Sequence, residues 1–235
     1  RTAFKLKNTI TLNQMYQSYF SLAKMGIDYL LFRRGPLTMA PSQFGIFTKS
    51  DKRFDTPNIE FHIQPLSLDS FGKPLHKFPG LTVSVCNLRP LSRGTVSLSS
   101  SNPFDKPKIA PNYLSDYEDQ QVAVESILKA RELMATNEMA VFEPEEFLPG
   151  KNFVKPEELV QEAGKISTTI FHPVGTAKMG SYDDPMAVVN EKLKVRGFKN
   201  LRVVDGSVMP VITSGNTHTP IVMIAEKASE MILND

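Results

Sequence analysis

Cysteine is almost absent from this sequence: Cys86 is the only one in 235 residues. A single thiol cannot form an internal disulfide, and it cannot supply a cysteine-rich metal site. The low cysteine content gives a slight preference for a reducing compartment such as the cytoplasm. Cys86 follows the alternating segment 81–85 and is predicted to be a small buried residue of a strand.

Long apolar runs and an excess of one charge are also missing. No stretch reaches the ~20 apolar residues that a transmembrane helix requires. Lys and Arg total 27 against 25 Asp and Glu, which leaves a net charge of +2 without any basic run. The sequence therefore predicts neither a membrane-spanning helix nor a nucleic-acid-binding surface.

The sequence also lacks a glycine-rich dinucleotide-binding turn. Proteins that bind FAD through a βαβ unit carry G-x-G-x-x-G between the first strand and its helix. None of the 13 glycines forms a G-x-G pair. We therefore interpret the chain, which starts at Arg1 without an initiator methionine, as the C-terminal part of a longer protein. The N-terminal dinucleotide-binding region is expected to be absent from it.

Helical periodicity is found in four segments. The first covers 12–32, opens with the T-x-x-Q capping box of Thr11, and is rich in aromatic residues spaced for a core face. The second covers about 115–137 behind the S-x-x-E box of Ser115. The third starts at Pro156 and the last at Thr219-Pro220, which is where proline is tolerated in a helix.

Between residues 44 and 99 the period changes to two. Apolar and polar residues alternate in 59–64, 81–86 and 95–99, and Pro- and Gly-rich segments separate them. Such alternation is typical of antiparallel strands with one buried face. A further short buried strand is predicted over 201–205. The predicted fold class is therefore α+β, with an antiparallel sheet and flanking helices.

Two segments near the C-terminus hold the residues best suited to chemistry: FHPVGTAKMG at 171–180, and VVDGSVMP followed by SGNTHTP within 203–220. They contain His172 and His218, two of the four histidines, each flanked by Gly and Pro that force turns. An imidazole, whose ordinary pKa is about 6.5, is suited to proton transfer at neutral pH. For a lone histidine, however, a structural hydrogen-bonding role is the commoner one. His62 and His76 match no motif and are predicted to be solvated.

In their order and spacing these segments resemble the C-terminal region of the glucose–methanol–choline (GMC) family of flavin-dependent alcohol oxidoreductases. The resemblance extends to RPLSRGTVSL at 89–98, IAPNYL at 109–114 and GPLT at 35–38, and it is most specific over the last sixty residues or so. Bacterial choline-dehydrogenase-like members are the most similar. The resemblance implies a substrate-binding domain over 1–170. It also implies, over 171–235, a catalytic loop and a strand–helix segment that belongs to an FAD-binding domain.

The resemblance implies roles for both histidines. His172 would accept the hydroxyl proton of an alcohol, or stabilise the alkoxide, while hydride passes to N5 of FAD, and His218 would hydrogen-bond the same oxygen. Choline-oxidising members usually have Asn at the position of His218. A His–His pair is more similar to the glucose- and aryl-alcohol-oxidising members. The product would be an aldehyde or a ketone.

Cofactor contacts are implied in the same way. Asp205 and Gly206 match a turn that contacts the ribityl and phosphate groups, although Asp-Gly is also a common turn pair. Asn216 and Thr219 are assigned to the cofactor because they lie where the last helix begins, and a helix N-terminus stabilises negative charge near flavin N1. They are equally suited to capping that helix, together with Thr217. FAD is expected in the full-length enzyme and not in this part alone, which we expect to be inactive; no metal site is predicted.

Two other function classes stay open on the sequence. A non-catalytic small-molecule-binding module could keep the same fold, although it would need neither histidine. A Ser–His–Asp hydrolase using His172 and Asp205 is disfavoured because no G-x-S-x-G turn occurs. The expected partners are an alcohol substrate, the FAD-binding region of the same enzyme and, as an open alternative, further copies of the chain.

Overall fold

The computed structural model describes residues 1–40, 42–70 and 72–235. They form two compact units. The first unit comprises Arg1–Asn87 and Asp116–Thr168, and the second comprises Leu88–Ser115 and Thr169–Asp235. The second unit thus takes in a segment from the middle of the chain. The functional division into a substrate-binding domain and a catalytic segment at residue 170 stays a prediction.

Strands form a five-stranded sheet and a separate two-stranded ribbon. They are β1 (Thr2–Lys5), β2 (Phe44–Thr48), β3 (Ile59–Gln64), β4 (Gly80–Asn87), β5 (Thr95–Ser97), β6 (Lys108–Ala110) and β7 (Glu145–Leu148). The large sheet has the order β2-β3-β4-β1-β7, and all of its neighbouring strands are antiparallel. The ribbon pairs β5 with β6 in the second unit.

In the described part of the chain, six α-helices accompany the strands. They are α1 (Leu12–Met15), α2 (Tyr19–Phe32), α3 (Tyr117–Met134), α4 (Asn137–Ala140), α5 (Pro156–Ile166) and α6 (His218–Leu233). Short 3₁₀ turns cover Pro36–Thr38 and Gly206–Val208. The prediction of an α+β fold with an antiparallel sheet and flanking helices is confirmed. None of the described helices has the length and apolar character needed to cross a bilayer.

The core of the first unit follows from alternation along β3. Ile59 and Phe61 are almost wholly buried and pack with residues of α3, among them Val122 and Met134. The other face of β3 carries Glu60 and polar neighbours, because successive side chains of a strand point to opposite faces. Helix α5 packs in turn on α3 through the buried pair Leu159 and Ala163, which are four residues apart.

Two strands of the large sheet lack the alternation that identifies strands in a sequence. Strand β1 buries three successive residues, Thr2–Phe4, because it is enclosed between β4 and β7. Strand β7 contains two successive glutamates, Glu145 and Glu146. The second is held by Arg131 of α3 through contacts of 2.8 and 2.9 Å.

The predicted helix over 12–32 is broken into two. Ser18 starts α2, since its side chain accepts a hydrogen bond from the N–H of Ser21. Only Met25 of α2 is buried, whereas Tyr19 and Leu30 are largely exposed. The expectation that this aromatic face forms core was therefore wrong. Helix α2 packs mainly on the turn Pro36–Thr38, which is too small to cover it.

The starts of α1, α3, α5 and α6 were predicted to within a residue or two. Asp116 rather than Ser115 caps α3, by accepting from the N–H of Glu118 at 2.8 Å. At α1 the side chain of Gln14 accepts from the N–H of Thr11, as a capping box requires. The hydroxyl of Thr11 instead accepts from the N–H of Gly80.

The second unit has its own small core of Val189, Leu193, Val208 and Ala228. The predicted strand over 201–205 is reduced to an isolated bridge between Lys194 and Arg202. The predicted strand near 95–99 exists as β5, but its Val96 is half exposed because the two-stranded ribbon has no covering layer on that face. The C-terminal helix is confirmed as α6.

Candidate active site

The two motif segments lie side by side in the second unit. The N–H of Ala177 donates to the carbonyl of Ser207 at 3.0 Å, and that of Met179 donates to Val208 at 2.8 Å. Gly175 permits this approach because its φ is +89° and a Cβ there would lie 3.3 Å from the carbonyl oxygen of Met209. The loop that carries His172 is thereby fixed against the turn Gly206–Val208.

Both ring nitrogens of His172 have partners from the second motif. Nδ1 lies 2.9 Å from the hydroxyl oxygen of Thr217, and Nε2 lies 3.0 Å from the amide nitrogen of Asn216. An amide nitrogen can only donate, so Nε2 presents its lone pair and Nδ1 carries the proton. His172 is therefore arranged as a neutral imidazole whose basic atom is Nε2. Asn216 is exposed to solvent, so Nε2 lies on the accessible side of the ring.

The N-terminus of α6 lies at the same place. Thr217 is its N-cap residue, yet the Thr217 side chain makes no capping hydrogen bond, and the first turn contains no acidic residue. The first N–H groups of a helix have no partner within the helix, and its N-terminus carries about half a positive charge. This end of α6 is therefore suited to an electron-rich or anionic group.

His218 is the first residue of α6 and directly follows Thr217, so the fold brings the backbones of both predicted catalytic histidines to one end of this helix. The His218 side chain is exposed. Within the described residues its ring makes no hydrogen bond to His172. A shared role of the two imidazoles at one oxygen stays a prediction.

Asp205 and Gly206 have clear local roles. The Asp205 carboxylate caps the 3₁₀ turn by accepting from the N–H and the hydroxyl of Ser207. Gly206 is buried, and a Cβ there would lie 3.0 Å from Cδ1 of Ile221 on α6. A side chain at Gly206 would therefore require the Ile221 side chain to shift by a few tenths of an ångström. Cofactor contact by these two residues stays a prediction, as it does for Asn216 and the exposed Thr219.

Thr217 was not among the predicted site residues, because a threonine in front of a helix ordinarily indicates only a cap. The structure shows instead that it is fully buried and contacts His172. No local pattern distinguishes these two uses of a hydroxyl, since the residues are 45 positions apart.

The remaining two histidines are not solvated, contrary to the prediction. The His76 ring stacks on Phe78 and contacts Ser67 through Nδ1 and Asp69 through Nε2, each at 3.0 Å. The His62 side chain is 17% exposed, and its Nε2 lies 3.4 Å from Glu60 without hydrogen-bond geometry. Tertiary packing of the first unit, which sequence periodicity does not report, buries both rings.

A Ser–His–Asp constellation thus occurs, but at His76. Ser67 is fully buried and its hydroxyl also contacts Asn13 at 3.2 Å, so it cannot reach a substrate. At His172 the ring nitrogens face Thr217 and Asn216 rather than Asp205. The geometry therefore argues against the hydrolase alternative. Within residues 1–40, 42–70 and 72–235, no three His, Cys, Asp or Glu side chains converge as a metal site would require.

Residues 90–225, more than half of the chain, match the family model described as GMC oxidoreductase. The chain belongs to the GMC oxidoreductase family. This region includes His172, the turn Gly206–Val208 and the start of α6. The resemblance of the two motif segments to this family is thereby confirmed.

Similar GMC relatives are enzymes of greater length. The chain is 42% identical over 206 residues to the "Alcohol dehydrogenase [acceptor]" of Pseudomonas putida, covering 88% of this chain and 37% of that protein. It is 38% identical over 231 residues to the "Oxygen-dependent choline dehydrogenase" of Vibrio vulnificus, covering 98% of this chain and 41% of that protein. The chain therefore spans about two fifths of the length of these relatives.

A solved structure shows the same fold. A formate oxidase variant of Aspergillus oryzae RIB40 superposes with a TM-score of 0.86 at 24% identity, over 98% of this chain and 45% of that one. At this identity the similarity concerns the fold.

Proposed function

We propose that this chain is the substrate-binding and catalytic C-terminal part of an FAD-dependent enzyme that oxidises an alcohol to an aldehyde or ketone. The observation that carries the proposal is the accessible lone pair of His172 Nε2. It lies beside the uncapped N-terminus of α6. A base and a positive dipole end are the two features that a hydroxyl group needs in order to lose its proton.

The chemistry assigned to the chain is proton transfer. The alcohol O–H bond breaks, its proton moves to Nε2 of His172, and a C=O bond forms as hydride leaves the carbon. Bound FAD supplies the two-electron acceptor for that hydride. The alcohol hydroxyl takes the position that the Asn216 amide occupies at Nε2, so Asn216 is displaced when substrate binds. His218 donates a second hydrogen bond to the same oxygen.

The residues near α6 fit a flavin. Its first-turn N–H groups have no side-chain cap and no nearby acidic residue within that turn, which suits an electron-rich ring. Asn216 and Thr219, both exposed, would contact the cofactor, together with the backbone of Asp205 and Gly206. The remaining cofactor contacts would come from an FAD-binding region in the same polypeptide. His218, where choline-oxidising members usually have Asn, favours an alcohol other than choline.

The test is a panel of alcohols assayed with the FAD-loaded full-length protein, under oxygen and with an artificial electron acceptor. We expect at least one alcohol to be oxidised, and His172→Ala to lower kcat and kcat/KM together by roughly 10²–10⁴-fold. Flavin absorbance should be unchanged. Lys227→Gln is the matched control, because Lys227 is exposed on α6 and pairs with Glu230, at 3.1 Å, on the same helix.

Two results would count against this function. Near-normal turnover of His172→Ala would mean that another group is the base. An FAD-containing protein that binds small molecules but oxidises none of the panel would favour the non-catalytic binding module.

A further inference from the structure

The hydroxyl of Thr217 is used in an unusual way for its position. A threonine at a helix N-cap normally has extended backbone angles and accepts a hydrogen bond from the second or third N–H of the helix. Thr217 has φ −89° and ψ −5°, and its side chain makes no capping bond. Its hydroxyl lies 2.9 Å from Nδ1 of His172 instead. The Thr217 side chain thus does not make the capping hydrogen bond that would stabilise the start of α6.

The contact between the Thr217 hydroxyl and Nδ1 affects which tautomer the His172 ring adopts. A neutral imidazole has one protonated nitrogen, and the hydrogen bond at that nitrogen determines which tautomer is present. Thr217 is 1% exposed, so water does not substitute for its oxygen. An Nδ1–H without this acceptor would be a part-buried donor that has lost its partner. The hydroxyl oxygen therefore favours the tautomer with hydrogen on Nδ1 and the lone pair on Nε2.

We infer that Thr217 is a positioning residue for the oxidation reaction: by accepting the Nδ1–H of His172 it keeps the proton-accepting lone pair at Nε2. The inference rests on the proposed function of His172 as base. Thr217 does not touch the alcohol in this scheme. It acts through the imidazole, in the way that hydrogen bonds to the second nitrogen orient functional histidines elsewhere.

The test uses pairs of variants of the FAD-loaded full-length enzyme. Thr217→Val keeps the branched shape and removes the hydroxyl, whereas Thr217→Ser keeps the hydroxyl and removes the methyl group. We expect kcat and kcat/KM of Thr217→Val to fall together by roughly 10-fold to 100-fold. Thr217→Ser should stay within about threefold of the unmodified enzyme. A purely structural role would give the reverse order, because Val preserves packing better than Ser.

Each other outcome is decisive. Near-normal activity of Thr217→Val, or equal losses in Val and Ser variants, overturns the inference. If Thr217→Val loses its FAD absorbance, Thr217→Ser is compared with Thr217→Ala instead, because these two side chains differ by one oxygen. Equal activity of these two variants overturns the inference. The variant His172→Ala distinguishes a failure of the positioning role of Thr217 from a failure of the proposed function. If it loses activity while Thr217→Val does not, only the positioning role fails; if His172→Ala is active, the proposed function itself fails.

Discussion

The amide nitrogen of Asn216 lies 3.0 Å from Nε2 of His172, the atom that acts as base in the proposed reaction. The amide is a neutral donor and faces the lone pair of this nitrogen. A substrate hydroxyl can replace it with the same hydrogen-bond direction. In the proposed reaction, Asn216 therefore occupies the hydrogen-bonding position of the substrate hydroxyl at His172 and adds no charge there.

A charge at this position is expected to change the pH dependence of the reaction. In Asn216→Asp a carboxylate would face Nε2 and stabilise the protonated imidazolium, because an opposite charge within a few ångströms favours the charged form. Since the reaction needs the neutral ring, the rising limb of kcat/KM against pH should move to higher pH by about one unit or more. The measurement is a pH profile of the full-length enzyme from pH 5 to 10.

Asn216→Ser is the matched control for that profile, because it removes the amide without adding charge. Its rising limb should stay close to that of the unmodified enzyme. An Asp variant whose limb is unmoved, or moves to lower pH, would show that residue 216 does not face the base in the free enzyme, the state that kcat/KM reports.

The two histidines are expected to contribute unequally. His218→Asn should cost less activity than His172→Ala, because an amide can still donate a hydrogen bond to the alcohol oxygen. His218→Ala should lie between these two or approach His172→Ala, and FAD content should be unchanged in all three. Steady-state kinetics and flavin absorbance of the full-length variants measure this order. Normal turnover in His172→Ala with none in His218→Asn would reverse the assigned roles.

The pair between Arg131 and Glu146 is expected to stabilise the first unit. The two contacts of 2.8 and 2.9 Å are bidentate, and the side chains are 20% and 7% exposed. Glu146→Ala would leave the guanidinium without its charged partner. It should lower the free energy of unfolding by about 2 kcal/mol, less than for a fully buried pair because Arg131 keeps some solvent contact.

Urea unfolding of the protein carrying this chain measures that loss. Lys7→Ala is the control, because the Lys7–Glu143 pair has a similar contact of 2.9 Å but is exposed, at 66% and 55%. Exposed pairs contribute little. Equal effects of the two variants would contradict the role assigned to Arg131 and Glu146.

Cys86 is expected to react slowly. Burial, helped by the charge of Glu60, raises the pKa of its thiol to about 11, from 9.0. Because only the thiolate reacts, labelling by a disulfide reagent at pH 8 should be about 100-fold slower in the folded protein than after unfolding. The rate should rise about tenfold per pH unit until the pH nears 11.

Glu60→Gln tests the smaller cause separately. It should speed labelling of Cys86 modestly, since burial, the larger cause, remains. Rapid stoichiometric labelling of the folded protein at pH 8 would contradict the raised pKa.

Local sequence patterns determined most of the elements of this protein. The two-residue period of 59–64 placed β3, and Pro156 placed the start of α5, because strand alternation and proline's missing N–H act within a few residues. The order and spacing of the two motif segments also indicated the family, which the family match over 90–225 confirms.

Other features depend on residues far apart in the sequence, and only the tertiary structure decided them. Strand β1 is a strand because β4 and β7 enclose it, and its own four residues show no alternation. The apolar face of α2 has helical spacing but lacks a covering element in its unit, so spacing alone gave the wrong burial. Burial is a property of what faces a segment, and periodicity describes only the segment.

The same limit applies to the site. The sequence by itself placed both histidines in segments rich in glycine and proline, whereas the tertiary structure decided that α6 begins at His218 and which atoms face His172. In the sequence, Thr217 has the pattern of a helix cap. Its hydroxyl contacts His172 because the 171–180 loop packs against the start of α6. A hydroxyl within reach of both a helix N–H and an imidazole bonds to the one with the better geometry, and the packing of the two loops determines that geometry.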